Sequence, residues 1–124
     1  MSTPESVIVT VALAVSDQDR ALEFYRGVLG FEVRRDVPMG PGSRWIEVAP
    51  PGSPVTVALV AEGSGVPLGI RIATPHIDLT REALQRAEID VDDAVIRTAF
   101  APAMFALRDP DGNPVVVLEA QEES

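Results

Sequence analysis

One order of elements occurs twice in this chain, and it restricts the fold more than any other feature: strand, helix, strand, strand, strand. Residues 7–15 (VIVTVALAV) have the branched side chains and the length of a strand. Ser16, Asp17, Gln18 and Asp19 supply a helix cap, with acids in the first turn where the helix dipole favours them. Ala21, Leu22, Tyr25, Val28 and Leu29 recur at helical spacing until Gly30 ends the run. Strands follow at 31–37 (FEVRRDV), 44–48 (RWIEV) and 55–60 (VTVALV), separated by the turns MGPGS and APPGSP.

The second half repeats this order. Beyond EGSG at 62–65, a strand spans 68–74 (LGIRIAT), and Asp78 caps a helix carrying Leu79, Ala83, Leu84 and Ala87. Strands are expected at 92–98, at 103–107 and, beyond the turn DPDGNP, at 115–119. One helix followed by three hairpin-linked strands excludes a doubly wound parallel sheet, which alternates strand with helix. The expected class is α+β: two βαβββ modules, about 7–61 and 66–120, forming curved, cup-like mixed sheets with helices outside. The 124 residues suit one domain, with Gly63 and Gly65 in the linker between the modules.

Period-two reading divides each strand into two faces. Val7, Val9, Val11, Leu13 and Val15 share one side of the first strand and should pack on the helix; Thr10, Ala12 and Ala14 share the other. Val55, Val57 and Leu59 oppose Thr56, Ala58 and Val60, and Leu68, Ile70 and Ile72 oppose Gly69, Arg71 and Ala73. Helices cover only one side of a sheet, so the small-residue side lines a ligand cup, packs on another sheet or meets a second copy.

Composition narrows the chemistry. The absence of Cys removes disulfides, thiolate metal sites and cysteine nucleophiles. Acidic residues number 19 against ten basic ones, all Arg, and a net charge of -9 repels a polyanion. Nucleic acid is therefore not an expected partner. The acidic stretches IDVDD (89–93) and EAQEES (119–124) read as solvated edges. No apolar run approaches the about 18 residues of a membrane span, and MSTPESVIV lacks a signal peptide's basic start. A cytoplasmic protein with no membrane partner is expected. Neither a Ser-His-Asp set, nor a pair of catalytic carboxylates, nor a phosphate loop is present, so no catalytic residue is assigned.

Four stretches carry a family resemblance: VALAVSDQDRALEFYRGVLGFEV (11–33), GSRWIEVAPPGSP (42–54), HIDLTREAL (76–84) and FALRDPDGNPVVVLE (105–119). In order and spacing the chain resembles the glyoxalase, bleomycin-resistance and extradiol-dioxygenase superfamily, the vicinal oxygen chelate proteins. That resemblance implies a divalent metal held by His and Glu on the cup-side strands of family enzymes. The four corresponding positions are Thr10, Ala58, Gly69 and Val116. None offers a credible metal ligand, so neither metal nor cofactor is expected. Glu47, on the same side by parity, is the candidate for a displaced carboxylate, and His76, the only His, reads as a turn residue before a helix. DPDGN reads as a structural turn, with Arg108 supporting it.

The small-residue cup, the missing metal set and the acidic charge lead to the expectation of a metal-free protein that binds or sequesters a small molecule, antibiotics included. The resemblance implies that such a protein is a homodimer. Trp45, Glu47, Arg71 and Met104, with Thr10, Ala58, Gly69 and Val116, are the ligand-binding candidates. One alternative is a lyase, isomerase or dioxygenase, using a metal on Glu47 and His76 or using Arg71 without metal. A protein-association domain without a ligand is the other.

Overall fold

Strand pairing begins in parallel. β1 (Val7–Val15) lies beside β4 (Thr56–Ala61), with Thr10 paired to Thr56, Ala12 to Ala58 and Ala14 to Val60. A computed structural model describes residues 6–99 and 101–120, and they fall into two units. One is 9–68; the other joins the described residues from 69 onward to 6–8. In the first, β3 (Arg44–Ala49) is antiparallel to both β4 and β2 (Glu32–Pro38), giving the order β2-β3-β4-β1. Each unit is an open mixed sheet with one helix, so the molecule is α+β with repeated βαβββ-like elements.

α1 (Gln18–Leu22) starts where the sequence suggests. Asp17 is the N-cap, and its carboxylate accepts the Arg20 N–H at 3.1 Å. The helix then loosens into a π-helical stretch, Glu23–Val28. Its i→i+5 pattern shifts the phase of everything downstream. Ala21, Leu22 and Tyr25 pack with Phe31 against Ile46, Val48 and Leu59, which are fully buried. Val28 and Leu29, expected on the same stripe, face water at 71% and 49% exposure. Gly30, at φ 75°, ends the run.

Because this helix lies over β3 and β4, it does not cover all of β1. Only Val15 of the expected bulky face joins the helix-side core, while Val7 and Leu13 are exposed. Gln18 ties the helix start to the sheet. Its amide donates to the carbonyls of Arg44 (2.6 Å) and Leu59 (2.9 Å), and its Oε1 accepts the Arg44 N–H at 3.1 Å. One side chain thereby satisfies three backbone groups.

In the second unit β5 (Gly69–Thr74) is parallel to β7 (Pro114–Glu119), and β6 (Met104–Arg108) is antiparallel to β7. Phe105, Val117, Ala103 and Ile77 form its core, with Ile72, Leu84, Val95 and Leu107 packed on them. α2 (Ile77–Arg86) is capped at His76, not Asp78, and without a side-chain bond. Asp78 instead sits in the first turn and pairs with Arg97 at 2.6 Å. Ile77 and Thr80 are its buried residues, while Leu79 is exposed.

The strand expected at 92–98 does not form among the described residues. Two isolated bridges, Val91 with Leu107 and Ile96 with Met104, stand in its place. Side chains complete the attachment. Asp92 donates its N–H to the Ala106 carbonyl and accepts the Ala106 N–H on its carboxylate, each at 2.9 Å. Arg108 reaches Asp92 at 2.8 Å and Asp90 at 3.0 Å, and Arg81 donates to the carbonyls of Asp92 and Asp93. A carboxylate thus takes an N–H that a strand carbonyl would have taken. The acidic stretch expected as a solvated edge is a tie.

Burial raises the Asp92 pKa, but the Arg108 hydrogen bond, the Ala106 N–H and the Arg108 charge outweigh it, leaving a net lowering. The Arg108 hydrogen bond and charge lower Asp90 as well. Arg108 therefore serves this segment and not the DPDGN turn. That turn closes on Asp109, whose carboxylate accepts the backbone N–H of Asp111 and both N–H groups of Asn113 at 2.8–2.9 Å.

Candidate functional site

The face of β1, β3 and β4 turned away from α1 carries the small residues. Ala12, Ala58 and Val60 are buried there, and Trp45 and Val66 pack against them. Beside Trp45 runs a chain of hydrogen bonds. Trp45 Nε1–H donates to Glu47 Oε2 at 2.6 Å, and Thr56 Oγ1–H donates to Glu47 Oε1 at 2.6 Å. Thr56 Oγ1 lies 3.0 Å from Thr10 Oγ1 and 3.4 Å from the Val9 carbonyl.

The strand register builds this chain. Thr10 and Thr56 are direct partners across the parallel pair, and Glu47 stands opposite Ala58 across the antiparallel pair. Thr10 and Thr56 are buried; Trp45 and Glu47 are half-buried and reach the surface. Arg35 is the neighbour of Glu47 on the other side, and no ion pair joins them among the described residues. Thr56 is the member that reading the sequence left out of the site. Its parity with Ala58 was the available signal.

In the other unit, the register brings Arg71, Val116 and Ala106 to one level and Ala73, Leu118 and Met104 to the next. Arg71 and Val116 are buried, and Met104 is half-buried. Gly69 has φ 100°, and a Cβ built on it would meet the Pro114 carbonyl at 3.4 Å. That backbone conformation disfavours any side chain, a ligating imidazole included. His76 is exposed at the start of α2.

These residues do not fit the divalent metal that the fold family implies. Ala58 and Val116 present hydrocarbon, Gly69 presents nothing, and the Thr10 hydroxyl is engaged by Thr56. Among the described residues no three His, Cys, Asp or Glu side chains gather. A separate open cleft of about 290 Å³ lies at the start of α1, between Ser16, Asp17, Asp19, Gly42 and Arg44. In it Arg44 pairs with Asp19 at 2.8 Å and with Asp36 at 3.1 Å, and the Asp17 carboxylate caps the helix.

Residues 7–117 match the model of the Glyoxalase/Bleomycin resistance protein/Dioxygenase superfamily, and the chain belongs to that superfamily. Among curated proteins, the uncharacterized protein YetH of Bacillus subtilis (strain 168) is 48% identical over 46 residues, 37% of this chain and 38% of that one. YurT from the same organism is 52% identical over 44 residues, 36% and 34% of the two chains. The chain thus spans about a third to two fifths of the curated relatives it matches. Among solved structures, hypothetical protein BH1468 from Bacillus halodurans C-125 superposes with a TM-score of 0.78 at 15% identity, covering 96% of this chain and 97% of that one. Methylmalonyl-CoA epimerase from Mycobacterium tuberculosis gives 0.74 at 20% identity, covering 93% and 88%. Both likenesses concern the fold. Among the described residues no helix is long and apolar enough to cross a membrane.

Proposed function

We propose that the chain binds a small planar molecule without a metal and sequesters it, antibiotics being the class to try first. The observation that supports this is the face of the 9–68 unit, where Trp45 and Glu47 reach the surface above Thr10, Thr56, Ala12 and Ala58. An indole beside a carboxylate on a floor of small residues suits a flat, partly polar ligand. Side chains of Ala and Thr hold such a molecule by shape and hydrogen bonding, not by coordination. Arg71, Met104, Gly69 and Val116 belong to the same reading as the second unit's own candidate contacts.

A homodimer is part of the proposal. Leu13, Phe24, Val28 and Leu29 expose apolar area that a second copy would cover. Trp45 is the sole tryptophan, so its fluorescence reports on this face directly. Titration with planar aromatic compounds and cationic glycopeptides should shift or quench it, with metal analysis showing no stoichiometric zinc, nickel, manganese or iron. A silent Trp45 across the library, or one metal per chain, would refute the reading.

A further inference from the structure

We infer that Glu47 is a positioning residue that fixes the proton order of the Trp45–Glu47–Thr56–Thr10 chain, so that Thr10 can only accept a hydrogen bond from a ligand. The inference rests on the binding role proposed for this face. It follows from counting protons. A carboxylate has none to give, and an indole N–H can only donate. Trp45 therefore donates to Oε2, which leaves Oε1 for Thr56.

Thr56 has a single hydroxyl proton and three acceptors in reach: Glu47 Oε1 at 2.6 Å, Thr10 Oγ1 at 3.0 Å and the Val9 carbonyl at 3.4 Å. The short, charge-assisted contact takes it. Between Thr56 and Thr10 the proton must then come from Thr10, because otherwise two sets of lone pairs would face each other at 3.0 Å. Thr10 has spent its only proton inside the chain. Whatever a ligand sets against it is an N–H or O–H, not a carbonyl or a ring nitrogen. At 6% exposure Thr10 has little water to relieve a mismatch.

A glutamine at position 47 turns the order round. The indole claims the amide oxygen, so the amide NH2 faces Thr56. Thr56 then accepts from it and points its own proton at Thr10, 3.0 Å away, in preference to the Val9 carbonyl at 3.4 Å, which releases the Thr10 proton outward. Every side chain in the chain keeps at least one hydrogen bond, so E47Q should fold. Thr10 changes from acceptor to donor without being touched.

Two planar probes separate the states: indole, which only donates, and quinoline, which only accepts. Their binding is read from the indole N–H resonance of Trp45 in ¹⁵N-labelled protein. The native chain should prefer indole by about tenfold. E47Q should invert the preference, and T10V, which keeps the shape without the hydroxyl, should bring the ratio near one. A merely structural Glu47 would weaken both probes equally. An unchanged ratio in E47Q, or a preference that survives T10V, would overturn the inference. If neither probe moves Trp45 in any of the three proteins, the binding role itself fails. Proton order is then decided in the free protein by hydroxyl exchange. The Thr10 hydroxyl should exchange with water at least about tenfold faster in E47Q than in the native chain. Equal rates would overturn the inference by themselves.

Discussion

The two halves share an element order except after the helix, where they attach the next segment in different ways. In the first half that segment is β2, a seven-residue strand laddered to β3 and exposed along its whole length. In the second it is 90–96, held by two bridges and by Asp90, Asp92, Arg108 and Arg81. β2 is held mainly by its backbone ladder to β3, broken only around Arg34, and its charged side chains add to that attachment: Arg34 donates to the carbonyls of Pro50 and Ser53, and Asp36 pairs with Arg44. The second segment lacks a full ladder, and its acids supply the missing acceptors. Charged side chains therefore supplement a ladder in one half and stand in for one in the other.

Substitutions can break that contrast, beginning with the cores beneath it. Phe105→Ala should cost about 3–5 kcal/mol in urea unfolding, since Phe105 is the largest fully buried side chain among the described residues. Its loss should appear first in hydrogen exchange of the 69–120 amides. In the first half Gln18→Ala removes three hydrogen bonds to backbone, and a loss of about 2 kcal/mol is expected. A cost below about 0.5 kcal/mol would show that water replaces the amide without penalty.

Asp92→Ala tests the tie directly. It should cost about 1–2 kcal/mol, kept small by partial exposure, and should speed exchange of the Ala106 amide. Arg35→Ala, the matching change on β2, should stay within about 0.5 kcal/mol. Equal effects at the two sites would erase the distinction between ladder and tie.

The smallest expected effect is a dependence on pH. Hydrogen bonds from the Asn113 side chain and backbone lead the causes that lower Asp109, and Arg108 lowers Asp90. A carboxyl whose pKa is lower folded than unfolded adds stability above its unfolded value, about 4, and loses it as pH falls through the lowered folded value. Stability should therefore decline from about pH 4 downward. Asp109→Asn should flatten that decline in denaturant midpoints measured at successive pH values, and an unaltered acid slope would show that Asp109 does not contribute to it.

Much of this protein was fixed by local pattern. Period-two alternation separated Ala58 and Val60 from Leu59, and the cap at Asp17 and the DPDGN turn formed as read, because strand faces, caps and turns depend on neighbouring residues. Other features depended on partners far along the chain. The π-helical slip that exposes Val28, the replacement of a strand at 92–98, and the bond between Thr10 and Thr56, 46 residues apart, have no local signature. Sequence alone put small residues and a lone Trp on one face. Only the tertiary register could join Trp45, Glu47, Thr56 and Thr10 into one chain, because a hydrogen bond is decided by distances of a few tenths of an ångström between strands.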